Sequence, residues 1–106
     1  MLLIRRYALA FLLAALVGAP LLGGCAGMPL QEMSDARQAV RAAERAGAGK
    51  HAPELLDEAR ALVQKASQFM HQGEYREARE DAELARTKAM EARRIAEAAQ
   101  GGANPS

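Results

Sequence analysis

The most distinctive reactive side chain in this 106-residue chain is the thiol of Cys25, its single cysteine. One cysteine supports neither an intramolecular disulfide nor a cysteine-rich metal site. His51 and His71 are the two histidines, each beside a turn and neither with a His/Cys neighbour at metal-ligand spacing, so both read as loop or cap residues. The many carboxylates fall on helix surfaces, where a solvated face is the ordinary explanation. Ser34 and Ser67 have no triad context, and no glycine-rich phosphate loop follows a strand. The sequence therefore predicts no catalytic residue, no metal, no dissociable cofactor and no enzyme. Arg37, Arg41 and Arg45 repeat every four residues, with Lys50 beyond them, and make a basic stripe on one helix. Two readings of that stripe stand side by side. One is pairing with the acidic residues Glu74, Glu77, Glu80, Asp81 and Glu83 or simply with water, and the other is contact with anionic lipid headgroups or polysaccharide.

The elements that present Cys25 are those of an export signal. Arg5 and Arg6 form a positive start, Tyr7 to Val17 is an apolar run of 11 residues, and Gly18 and Pro20 break it. That run is too short for a bilayer core, which takes about 20 helical residues. Leu22-Gly23-Gly24-Cys25 then resembles the lipobox of bacterial lipoproteins. The resemblance implies that Leu22, Gly23 and Gly24 are the signal-peptidase recognition residues. It also implies that Cys25 receives diacylglycerol on sulfur and a further acyl chain on its freed amino group. A buried N-terminal helix, or a plain signal with an incidental cysteine, is the alternative. Stable anchoring takes two lipid signals, and this set of chains exceeds that. Ala26, in place of the aspartate that holds many lipoproteins in the inner membrane, favours an outer-membrane, periplasm-facing location.

Removing Arg5 and Arg6 leaves 12 Lys+Arg against 13 Asp+Glu, a net charge of −1, which argues against nucleic-acid binding. Residues 1–24 are thus expected as leader, 25–33 as lipidated cysteine and tether, 34–100 as the helical domain and 101–106 as a disordered tail. The tether, nine steps from Cys25 to Ser34, spans at most about 30 Å. A first helix is predicted from Ser34 as N-cap to the Gly47/Gly49 stop, with Ala36, Val40 and Ala43 on one face. A second starts at Pro53, carries Leu55, Ala59, Leu62, Ala66 and Phe69 at alternating steps, flanked by Leu56, Val63 and Met70, and closes at Gly73.

The third helix is the most regular. Tyr75, Ala78, Ala82, Ala85, Ala89, Ala92, Ala96 and Ala99 alternate steps of 3 and 4, an almost wholly alanine seam on a rod of about 39 Å. Its early half is acidic and its late half basic, which suits antiparallel packing on the second helix with Leu55, Leu62 and Phe69 as bulk. The fold class is all-α, a short helix followed by a long antiparallel hairpin. Gly73-Glu74-Tyr75-Arg76-Glu77-Ala78 with Ala82 and Ala85 resembles one tetratricopeptide unit; a simple αα-hairpin uses the same small residues.

The run from Glu32 to Ala66, with the segment from Gly73 to Ala92, resembles the small helical lipoproteins of Gram-negative bacteria grouped as a domain of unknown function. Some relatives carry an OmpA-like peptidoglycan-binding domain after it. The family name itself implies no activity; the function expected for the chain is a non-enzymatic interaction or envelope-structural module, with the membrane and an envelope protein or a second copy as partners. Self-association along the alanine seam would add burial to a small core. The alternative is a binding module for cell-wall fragments, anionic lipid or polysaccharide.

Overall fold

Residues 30–102 are rich in Ala, Leu, Glu and Arg, the strongest helix formers, and they are helical almost throughout. The structure, a computed structural model, describes residues 27–102 and, separately, Ile4. Cys25 and the preceding Leu22, Gly23 and Gly24 lie outside the described residues, as do residues 103–106. Four helices follow in order: α1 (Leu30–Arg45), α2 (Ala48–His51), α3 (Pro53–His71) and α4 (Tyr75–Gly102). The all-α hairpin architecture expected from the sequence is what forms.

Side-chain contacts fix the directions. Arg79 near the start of α4 meets Glu32 near the start of α1 at 3.7 Å, and Gln100 Nε2 near the far end donates to the Ala46 carbonyl at 2.7 Å. Helices α1 and α4 are therefore parallel. Arg60 of α3 pairs with Glu44 at the end of α1 at 3.3 Å, so α3 runs the opposite way. Lys88 of α4 meets Glu58 of α3 at 3.3 Å, the basic-on-acidic pairing anticipated for the hairpin.

The first helix begins at Leu30, one turn before the anticipated Ser34 cap, with Pro29 in the capping position. The cause is Met33, which is 2% exposed and extends the Ala36–Val40–Ala43 stripe by one more step of 3. Ser34 is consequently a helix-interior residue, and its Oγ accepts a hydrogen bond from Gln38 Nε2 at 3.3 Å. At the other end, Gly47 takes φ +92°, and a Cβ there would come within 2.8 Å of Gln100 Nε2. That turn leads into α2, which the sequence reading did not anticipate, because Gly49 reads as a stop yet lies inside it. The short helix tucks Ala48 into the core.

The α3–α4 turn closes in a Schellman arrangement. Glu74 N–H donates to the Phe69 carbonyl at 2.9 Å and Gly73 N–H to the Met70 carbonyl at 3.1 Å. Gly73 supplies the left-handed residue this requires, at φ +77°. Helix α4 then runs on through Gly101 and Gly102, which were expected to lie in the tail.

The core is built on α4. Ala78, Ala82, Ala85, Ala89, Ala92 and Ala96 are all 0% exposed, whereas Ala99, the last residue of the anticipated seam, is exposed. One cluster near the start of α1 joins Met33 and Ala36 to Ala66, Ala82 and Ala85. A second gathers Val40, Ala43, Ala48 and Leu56 about Ala89, Ala92 and Ala96. On α3 the fully buried leucine is Leu56 rather than Leu55, and Leu62 and Phe69 are only half-buried. The buried line on α3 is therefore Leu56–Ala59–Ala66 rather than one through Leu55, Leu62 and Phe69, with Leu56 drawn in against Val40 and Ala43 of α1.

Since the seam from Ala82 to Ala96 is packed by residues of both α1 and α3, added volume there has nowhere to go. Ala85→Leu is expected to destabilise the domain by about 1–3 kcal/mol through overpacking. Ala99→Leu, outside the buried seam, should leave stability within about 0.5 kcal/mol. Urea unfolding followed by circular dichroism distinguishes the two.

Candidate functional site

Residues four apart on an α-helix drift by about 40° per step, so a stripe of arginines winds around its helix rather than staying on one face. Arg37, Arg41 and Arg45 do this on α1, and all three are exposed. Arg37 and Arg41 line a groove of about 290 Å³ between α1 and α3, with Val40 and Val63 below and Arg60 opposite. Arg45 has wound to the other flank. It lines a groove of about 370 Å³ between α1 and α4 together with Arg86 and Arg93. The structure therefore separates the predicted stripe into two grooves.

No carboxylate lies within 4.0 Å of Arg37, Arg41 or Arg45 among the described residues, so the intramolecular pairing considered for them does not form there. The acidic early half of α4 is used otherwise. Asp81 faces Lys65 of α3 at 4.0 Å, and Glu77 pairs with its neighbour Arg76 at 3.3 Å. Glu32 takes Arg79.

The α1–α4 groove has the more pronounced chemistry. Three guanidiniums, from Arg45, Arg86 and Arg93, border it against one carboxylate, Asp35. Asp35 Oδ1 already accepts from Gln31 Nε2 at 2.9 Å, and Arg93 Nε is held by Glu97 Oε1 at 2.6 Å. The floor is Ala39, Ala42 and Met90, the last 53% exposed. Planar guanidiniums beside an apolar floor suit an anionic group with an apolar portion. Arg86 and Arg93 were read from the sequence only as part of a basic half-helix. Their spacing of seven with Met90 between them, one face of α4, is the signal that marks them.

His51 closes α2 and His71 closes α3, at opposite ends of a helix of 19 residues, about 28 Å long. They cannot act on one substrate together. Among the described residues no group of three or more His, Cys, Asp or Glu side chains is placed to hold a metal ion.

Because the three α1 arginines have no carboxylate partner to lose, R37E/R41E/R45E should unfold within about 0.5 kcal/mol of the parent. Arg79→Ala, by contrast, removes both the Glu32 pair and a hydrogen bond to the Gly27 carbonyl, and should cost about 1 kcal/mol. Thermal unfolding of the two variants beside the parent measures both effects.

No curated protein and no solved structure matches the chain. One family does, over residues 31–103, the stretch that holds all four helices but for the first residue of α1. By that match the chain belongs to the family described as Domain of unknown function (DUF4398).

Proposed function

We propose that this is a lipid-anchored, non-enzymatic helical module of the cell envelope, held at the outer membrane and facing the periplasm. The observation that carries the reading is Leu22-Gly23-Gly24-Cys25, placed after a charged start, an 11-residue apolar run and a breaker. The similarity of residues 32–92 to small Gram-negative lipoproteins supports it. So does the order of segments, since α1 starts only five residues after the cysteine. Five steps span at most about 18 Å, which keeps the bundle beside the bilayer.

The surface supports an interaction role. No charged residue is fully buried among the described residues, and the domain presents most of its ion pairs and both arginine-bordered grooves to solvent. Its partner is an envelope protein or a second copy of the chain. Self-association through the alanine seam, considered from sequence, is superseded, because α1 and α3 already cover those alanines. A second copy would dock on an outer face instead. The tetratricopeptide-like pattern around Gly73 serves as scaffold in this reading, since Ala66, Ala82 and Ala85 pack against Met33 and Ala36 of α1.

One observation favours a second reading, binding of an anionic envelope component such as a lipid headgroup, polysaccharide or cell-wall fragment. It is the groove bordered by Arg45, Arg86 and Arg93.

Intact-mass spectrometry of the full chain purified from a Gram-negative host tests the main reading. The expected product starts at Cys25 and carries a diacylglycerol and one amide-linked acyl chain, whereas Cys25→Ser retains the leader and gains no fatty acid. A parent protein with its leader intact, or without fatty acids, would overturn the anchor.

A further inference from the structure

The chain enters the bundle at one end, and its entry point is locked. Pro29 is one of the two largest fully buried side chains, yet its neighbours Met28 and Leu30 are 52% and 64% exposed. Arg79 Nη2 donates to the Gly27 carbonyl at 3.2 Å, and Leu30 N–H donates to the Met28 carbonyl at 2.9 Å. Met33 N–H closes the turn on the Pro29 carbonyl at 3.0 Å. The Gly27 carbonyl is thereby tied to the start of α4, and the two large apolar side chains stand exposed on either side of the buried proline. Nothing in the packing of the bundle explains their exposure.

Their position does, and here the inference rests on the anchor proposed above. Two residue steps separate Cys25 from Gly27, at most about 7 Å of backbone. That is comparable to the depth of one headgroup layer, roughly 5–8 Å. A fatty-acylated Cys25 thus keeps Gly27 at the membrane surface, with Met28 and Leu30 on either side of the buried proline. We propose that this end of the bundle sits in the interfacial zone of the bilayer, with Met28 and Leu30 inserted beside the lipid chains of Cys25. Protein attachment then has two parts, the acyl chains and an apolar protein contact, and the second sets the orientation of the domain.

The occupant is the apolar edge of the bilayer rather than its charge. Charged residues at the same end, Glu32, Glu74, Arg76, Glu77 and Arg79, carry both signs, with Arg76 paired with Glu77 and Arg79 with Glu32. Contact should therefore form on uncharged phosphatidylcholine. Seating this end also directs α1 and α4 away from the surface together, since they run parallel. It carries Arg45 about 22 Å along α1 from Leu30.

The chain lacks tryptophan, so a single introduced one reports on its own site. Full-length protein carrying Met28→Trp, Leu30→Trp or, as a distant exposed control, Ala99→Trp is reconstituted into phosphatidylcholine vesicles brominated on the acyl chains. Fatty acids on Cys25 are read by mass spectrometry of the same preparations. Bromine quenching of about twofold or more at positions 28 and 30, with position 99 unquenched, is the expected result. Fatty-acylated protein with positions 28 and 30 as unquenched as position 99 would overturn the seated contact and leave the anchor standing. Protein without fatty acids would overturn both.

Discussion

Close approach to a line of alanines on α4 is the constraint on which this domain depends. Six of them, from Ala78 to Ala96, are 0% exposed, so neighbouring helices meet that face without a gap. An alanine face contributes little area of its own and allows short interaxial distances. The bulk has to come from outside it. Met33 and Val40 on α1 and Leu56 on α3 supply it, each packed into a cluster with seam alanines. Large-on-small packing of this kind needs both flanking helices, since one partner alone would leave half of the seam in water. This is why a chain with so few large apolar side chains adds α1 to its hairpin.

The same economy shapes the surface. With its small residues turned inward, the domain leaves its outer faces to charge. Ion pairs such as Glu44–Arg60 and Glu58–Lys88 tie neighbouring helices, but both partners are about a third to half exposed, so each contributes modestly. Helix order comes from the core, and the surface is free for other contacts. The basic groove between α1 and α4 and the apolar pair beside Pro29 are two surfaces free for such contacts. Anchor, seat and groove would then be arranged in sequence along one axis.

Much of the architecture is legible in the sequence because alanine at steps of 3 and 4 over six positions has no other simple use. Pro53 and Gly73 are equally plain, one a first-turn residue and the other the left-handed closure of α3. What sequence reasoning misses depends on the third helix. Leu55 and Leu56 are adjacent, and a two-helix picture favours Leu55; adding α1 rotates the buried line toward Leu56. Helix α2 escapes because four residues carry no period, and its Gly49 suggests a stop. The arginine stripe is visible on one helix, but a groove is formed by two, so Arg86 and Arg93 emerge only when α4 is set beside α1. The proposed leader and lipidation of Cys25 rest on sequence motif alone.

Native-state hydrogen exchange on the folded protein tests the shared seam most directly. Backbone amides at Val40 and Ala43 on α1, Ala59 and Ala66 on α3, and Ala85 and Ala92 on α4 should exchange through one common opening, with the same free energy and the same denaturant dependence. Exchange of the α1 amides through a separate, much easier opening, while α3 and α4 stay protected, would contradict it. That result would mean the hairpin holds its alanine face closed without the first helix.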